Sequence, residues 1–119
     1  MNVSDIAIAI EKRINALEEG RKMLSELSSC RACAIADYDK AMALTIMKLR
    51  NSIEFNLDGV TIKDPPVTIL EKIAKGLCWE SRLRLEESEA QYKAAITKLE
   101  ILQAQLMGYQ SIYRHQTEV

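Results

Sequence analysis

The chain has 119 residues and a net charge of −1, and it is 48% hydrophobic but only 5% aromatic. The near-neutral charge argues against a nonspecific nucleic-acid binder, which carries a basic excess, and equally against a strongly acidic mimic of DNA. Few aromatics beside many aliphatic and charged residues are typical of long helices and coiled coils. A single helical domain over residues 1–119 is therefore expected.

The first part of the chain predicts one long helix over about residues 4–53. Ser4 is the expected N-cap. Apolar residues then recur at alternating steps of three and four, which is the pattern of a coiled-coil seam. The seam turns polar at residues 28–31, where Ser29 could cap a new helix. A break there would give a three-helix bundle instead of a hairpin of two long helices.

A reversal of the chain is predicted at Asp58-Gly59. Asp-Gly between alternating apolar residues favours a type I′ turn, which needs a positive φ at both central residues. This turn makes residues 55–62 a β-hairpin. It places four apolar side chains on one face, pairing Leu57 with Val60 and Phe55 with Ile62. A two-stranded ribbon is marginal alone, so we expect it to pack on the helices.

A second long helix is predicted over about residues 65–114. Asp64 followed by Pro65 is a start signal, because an acidic cap precedes a proline in the first turn. Two helices alone leave apolar surface uncovered, so a homo-oligomer is expected. Its candidate interface comprises five seam residues, Leu99, Leu102, Leu106, Tyr109 and Tyr113. The predicted fold class is mainly all-α, an antiparallel hairpin or coiled coil of long helices with a small β-hairpin at its tip.

Cys30 and Cys33 form a Cys-x-x-Cys motif, with Cys78 and the single His115 elsewhere in the chain. A zinc site needs four ligands that converge on one point. The predicted turn places Cys33 opposite residue 84, away from Cys78, and leaves His115 at the far end. We therefore expect no metal site within one chain and interpret the cysteines as ordinary buried or half-buried thiols. A metal that bridges two subunits remains an alternative.

The sequence offers little for catalysis or for membrane insertion. The glycines are isolated rather than clustered in a phosphate loop, and the single histidine has no candidate nucleophile beside it. Neither an enzyme nor a cofactor is expected. No run of eighteen apolar residues occurs, the N-terminus lacks the basic start of a signal peptide, and the cysteine count is odd. These features predict a protein of the cytoplasm that does not enter a membrane.

Four residues on one helical stripe form the candidate site for a ligand or nucleic acid: Lys72, Lys75, Trp79 and Arg82. A tryptophan can stack on a base while the neighbouring cations contact phosphate. Several glutamates follow at once and dilute the positive field: Glu80, Glu86, Glu87 and Glu89. The favoured interpretation is therefore a solvated face, with Trp79 packed on the neighbouring helix or on a second subunit.

Two segments of the second half resemble a known group of proteins. DPPVTILEKIAKG at residues 64–76 and LQAQLMGYQSIYR at residues 102–114 are similar to small helical proteins of tailed phages and prophages. The genes of that group lie in early regions, near recombination and single-strand-binding genes. The resemblance covers about residues 50–115 and implies the cytoplasm of a bacterial host, but no activity and no catalytic residue. Helix, ribbon and helix in this order is also similar to prefoldin-type chaperone subunits, in architecture alone.

The function we expect is that of a non-enzymatic, phage-type helical binding or scaffold protein. It would contact a host or phage protein, for example as an inhibitor of a host defence factor. One alternative is a recombination accessory that binds single-stranded nucleic acid or a recombinase. Another is a protein that sequesters a nucleotide signal in a pocket between subunits. Both alternatives would use the stripe from Lys72 to Arg82.

Overall fold

The computed structural model describes residues 2–118. Helix α1 spans Val3–Arg50, and strands β1 (Phe55–Leu57) and β2 (Val60–Ile62) form an antiparallel two-stranded sheet. A 3₁₀ helix at Val67–Ile69 precedes helix α2 (Leu70–Leu77) and helix α3 (Trp79–Thr117). The predicted fold class is confirmed: two long helices and a small β-hairpin make a mainly α-helical chain.

The described residues divide into two compact units. Unit 1 comprises the residues up to Ser29 and those from Ala90 onward, and unit 2 comprises Cys30–Glu89. Within unit 2, contacts between α1 and the second half of the unit follow opposite chain directions, as an antiparallel pair requires. They join Arg31 to Glu89, Tyr38 to Arg82, and Thr45 to Cys78.

Helix α1 begins one residue earlier than the sequence pattern predicts. Asn2 is the N-cap, because its Oδ1 accepts a hydrogen bond from the backbone N–H of Asp5 at 2.9 Å. Asparagine caps as well as serine does, and the expected cap, Ser4, lies inside the first turn. The helix continues without a break through residues 28–31. A three-helix bundle is therefore not formed.

Helix α1 ends in a Schellman motif that the residue types at this position do not predict. Ser52 adopts the left-handed conformation with φ of 61°. The N–H of Ile53 donates to the carbonyl of Lys48 at 3.0 Å, and the N–H of Ser52 donates to the carbonyl of Leu49 at 3.3 Å. Glycine is the usual residue at this position, so a serine gives no stop signal. The helix accordingly ends at Arg50 rather than near residue 53.

The β-hairpin has the predicted turn and pairing. Asp58 and Gly59 have φ of 48° and 84°, both positive, as a type I′ turn needs. The side chain of Asn56 adds a contact that the sequence does not predict, since its Oδ1 accepts a hydrogen bond from the N–H of Gly59 at 3.0 Å. The register pairs Phe55 with Ile62, Asn56 with Thr61, and Leu57 with Val60.

The sheet packs on the core of unit 2. Leu49, Leu70 and Ala74 are buried at its centre, and Phe55 and Ile62 of the hairpin pack against them. Further half-buried apolar side chains complete this core: Met42, Ile46, Ile73 and Leu77. The hairpin therefore gains its stability from the helices, as a two-stranded ribbon must.

The predicted second helix, residues 65–114, is wrong at its start. Asp64 has a φ of 45° and does not cap a helix. Pro66 is extended, with φ of −56° and ψ of 143°, and the 3₁₀ helix that follows it has no side-chain cap. A residue before proline avoids the helical region, so Pro65 cannot lead directly into a helix. The regular helix α2 begins only at Leu70.

The same predicted helix is also interrupted at Cys78. Its φ of −94° and ψ of 24° separate α2 from α3. Hydrogen bonds persist across the interruption, from the N–H of Cys78 to Ala74 and from the N–H of Arg82 to Cys78. Gly76, a poor helix former, lies just before the interruption and reduces the local cost of leaving helical geometry. From Trp79 onward, α3 continues to Thr117.

Candidate interaction surfaces

The stripe that the sequence predicts lies on two helices rather than on one. Lys72 and Lys75 belong to α2, whereas Trp79 and Arg82 belong to α3 beyond the interruption at Cys78. All four predicted side chains are exposed. Trp79 keeps 54% of its surface accessible, so the neighbouring helix of this chain does not bury it.

Carboxylates accompany the cations of this region. Lys75 Nζ lies 3.5 Å from Glu71 Oε1, and the guanidinium of Arg82 pairs with Glu86. The Arg82 guanidinium also lies over the ring of Tyr38, 5.5 Å from its centroid. Exposed pairs of this kind contribute only about 0–1 kcal/mol each, yet they lower the local positive potential. The stripe consequently resembles a solvated helix face more than a phosphate-binding site.

Trp79 lines an open groove of about 390 Å³ in unit 2. Leu44 on α1 also lines the groove and is 44% exposed. Three small side chains also line it: Ala41, Thr45 and Ser81. We call this feature the Trp79 groove. The remaining lining residues are Lys48, Leu77, Cys78, Glu80 and Arg84.

Leu44 is part of this surface but is not among the site residues that the sequence predicts. Leu44 does not fall on the three-four seam of α1, and an apolar residue off the seam is the signal that could have identified it. Its association with Trp79 depends on how α1 and α3 align within unit 2. Hydrophobic periodicity does not determine that alignment.

The five predicted interface residues lie in unit 1, and four of them are half-buried within the chain itself. These four are Leu99, Leu102, Leu106 and Tyr109. Leu99 packs so closely on Gly20 that a Cβ there would lie 2.6 Å from Leu99 Cδ2. The Arg13 guanidinium carbon lies 4.9 Å from the centroid of the Tyr109 ring. These contacts are intramolecular, and Tyr113, at 36% exposure, is the most accessible of the five.

Other apolar side chains of unit 1 are more exposed than this seam. On α3, Ile101 is 53%, Met107 is 62% and Ile112 is 47% exposed. Ile101 and Ile112 are eleven residues apart, which is close to three helical turns, so they share one face of α3. A second copy of the chain would find more accessible apolar surface here than on the predicted seam.

The three thiols occupy different environments. Cys78 is buried, with its Sγ 3.3 Å from Thr45 Oγ1, whereas Cys30 and Cys33 are exposed. The interpretation of all three as buried or half-buried thiols is therefore wrong for the Cys-x-x-Cys pair. Within residues 2–118, no group of three or more His, Cys, Asp or Glu residues has a geometry that could hold a metal ion.

Cys30 and Cys33 line a second groove of unit 2, of about 300 Å³. We call it the thiol groove. Its α1 side also includes Ala34 and Asp37, and its α3 side consists of Ser81, Arg84 and Ser88. The position that the predicted turn places opposite Cys33 is residue 84, and the structure does bring Arg84 to this groove.

In the part of the chain that the structure describes, no helix combines the length and the apolar character that crossing a membrane requires. No protein-family model, curated protein or solved structure matches the chain. The functional conclusion therefore depends on the side chains that the fold presents.

Proposed function

We propose that this chain is a non-enzymatic binding protein that engages another protein through the Trp79 groove. The observation that supports this proposal is that two half-exposed apolar side chains, Trp79 and Leu44, line one groove together with several small side chains. Burying such side chains at an interface contributes about 25 cal/mol to the free energy of binding per Å² of apolar area removed from water. Tryptophan is also among the residues that most often dominate binding energy at protein interfaces.

The charges around the groove favour a protein over a nucleic acid. Lys48 and Arg84 line it together with Glu80, and Arg84 Nη2 lies 3.8 Å from a carboxylate oxygen of Glu80. Apolar side chains together with charges of both signs are a usual composition of a protein interface. A phosphate-binding surface would instead carry a clear excess of unpaired cations.

The resemblance to phage early-region proteins suggests where the partner comes from. Under this proposal the partner is a host or phage protein, and a host defence factor is the first candidate. The chain would act by occupying or scaffolding that partner, without chemistry of its own.

A capture experiment tests the proposal. The full chain is immobilised, a protein is captured from bacterial lysate and identified by mass spectrometry, and its purified form is then titrated against variants. Trp79→Ala should weaken binding by about 30-fold, the equivalent of a hot-spot loss of 2 kcal/mol. Leu44→Ala should weaken it in the same direction. Val67→Ala is the matched control, since Val67 is an apolar residue of unit 2 with 79% exposure that does not line the groove.

Two results would contradict the proposal. A captured partner whose affinity is unchanged in both groove variants would show that binding uses another surface. Binding of a single-stranded oligonucleotide that weakens steeply with salt would favour the recombination accessory, because phosphate contacts release counterions. Calorimetry against cyclic dinucleotides addresses the remaining alternative, a nucleotide-sequestering protein.

A further inference from the structure

Two exposed thiols face the same groove without any role in the proposed protein interface. Cys30 and Cys33 are three residues apart on the continuous helix α1, and both line the thiol groove. Residues at this spacing are neighbours on one helical face. We propose that Cys30 and Cys33 form a two-thiolate site for a soft, two-coordinate cation such as Cu(I).

Helix geometry favours a bridging ion over a direct disulfide. Side chains three residues apart on a regular helix have Cβ atoms about 5–6 Å from each other. A disulfide needs Cβ atoms about 3.5–4.5 Å apart. Because α1 is unbroken through both cysteines, an S–S bond would distort it. A metal ion between the two sulfur atoms fills the gap and leaves the helix regular.

The donor set selects the class of ion. Thiolates are soft ligands and favour Cu(I) among the common biological cations. Zinc requires four ligands, and calcium requires six or more oxygen atoms. Asp37 lines the same groove, but residues 2–118 contain no three-donor group with metal-holding geometry. An ion satisfied by two sulfur donors is therefore the one that fits.

The charge balance of binding is simple. Cys30 and Cys33 each release the proton of Sγ to the solvent buffer, two S–Cu bonds form as Cu(I) leaves its previous ligands, and the resulting bis-thiolate complex has a charge of −1. Arg84 lines the groove and compensates this charge, since its long, exposed contact with Glu80 is weak. Asp37 opposes it from the α1 side. Copper stays in the Cu(I) state throughout, so no electron is transferred.

Competition for Cu(I) tests the site. The reduced full-length chain is mixed anaerobically with Cu(I) held by a coloured chelator, and loss of colour reports the transfer. Native mass spectrometry should show one Cu(I) per chain. Cys30→Ser and Cys33→Ser should each lower the affinity by about 100-fold or more, because the second thiolate acts at a high effective concentration. Both residues are exposed, so unchanged circular dichroism should confirm that the variants fold.

The buried thiol supplies the control. Cys78→Ala should bind Cu(I) as the wild type does, since Cys78 does not line the thiol groove. If that variant does not fold, alkylation of the wild type replaces it, and Cu(I) should then protect Cys30 and Cys33 from iodoacetamide. Undiminished binding by either serine variant would overturn the proposal. So would a lack of transfer from the chelator, or a stoichiometry of one ion per two chains.

Discussion

A serine occupies a backbone position that favours glycine. Ser52 has a φ of 61° at the end of α1, and this conformation costs a residue with a side chain about 1–2 kcal/mol. Ser52→Gly removes that cost but gives the unfolded chain more freedom. We expect a net stabilisation of about 0.5–1 kcal/mol, measured by thermal unfolding followed by circular dichroism.

Ser29→Gly is the control for this prediction. Ser29 lies within α1, where the same substitution should destabilise by about 0.5 kcal/mol because glycine is the poorer helix former. A loss of stability in both variants would mean that glycine at position 52 relieves no cost of the left-handed conformation.

The core of unit 2 depends on a side chain that is almost completely buried. Leu49 is 1% exposed, whereas Met47, two residues earlier, is 59% exposed. Leu49→Ala should therefore lower the free energy of unfolding by about 2–5 kcal/mol, whereas Met47→Ala should change it by less than about 0.5 kcal/mol. Urea denaturation of the two variants measures this difference. Similar losses in both would contradict the assignment of Leu49 to the core.

Backbone reversals differ in how well the sequence reveals them. The turn at Asp58-Gly59 is predictable because few residue pairs accept positive φ at both positions. Ser52 and Asp64 also have positive φ, but neither residue type requires it. Ser52 takes its conformation where hydrogen bonds close the end of α1, and Asp64 precedes the two prolines, of which Pro66 is extended. No local pattern of residue types indicates either conformation.

At the scale of the helices, Gly20 and Gly108 differ in the space that is available for a side chain. Apart from the local helix backbone, a Cβ on Gly108 would meet no atom within 4 Å, whereas a Cβ on Gly20 would lie 2.6 Å from Leu99 Cδ2. Gly108→Ala should therefore gain up to about 1 kcal/mol from helix propensity. Gly20→Ala should gain less or lose stability, because Leu99 must move. Chemical denaturation of both variants provides the comparison, and equal gains would show that α1 and α3 do not pack closely at Gly20.

The helices and the candidate surface were predictable to different degrees. Three-four periodicity predicts the long α1 but leaves a break at residues 28–31 open, and Asp-Gly predicts the hairpin. The interruption at Cys78 is not visible, because it changes one residue's backbone while the surrounding hydrogen bonds persist. That interruption separates Lys72 and Lys75 from Trp79. The sequence identified Trp79 but not Leu44, since only the alignment of two distant segments places both beside one groove.

For the molecule as a whole, the distribution of apolar surface bears on self-association. The predicted interface residues pack mainly within the chain, yet several apolar side chains elsewhere are about half exposed. Exposed apolar side chains on one helix face offer surface that a second copy of the chain can cover. The homo-oligomer stays a prediction, and we expect its contacts on the face of α3 that carries Ile101 and Ile112 rather than on the predicted seam.

Sedimentation velocity tests this revised interface. Wild-type chain should associate at micromolar concentration, and a double variant, Ile101→Ser with Ile112→Ser, should shift it toward the monomer because both residues share one exposed face. Glu100→Gln, an exposed polar change beside Ile101, should leave the association unchanged. A wild type that stays monomeric over the whole concentration range would contradict self-association. The exposed apolar side chains of α3 would then be available to a different protein. Weaker binding of that protein to the Trp79→Ala variant would assign it to the Trp79 groove, and unchanged binding would assign it to the face of α3 that carries Ile101 and Ile112.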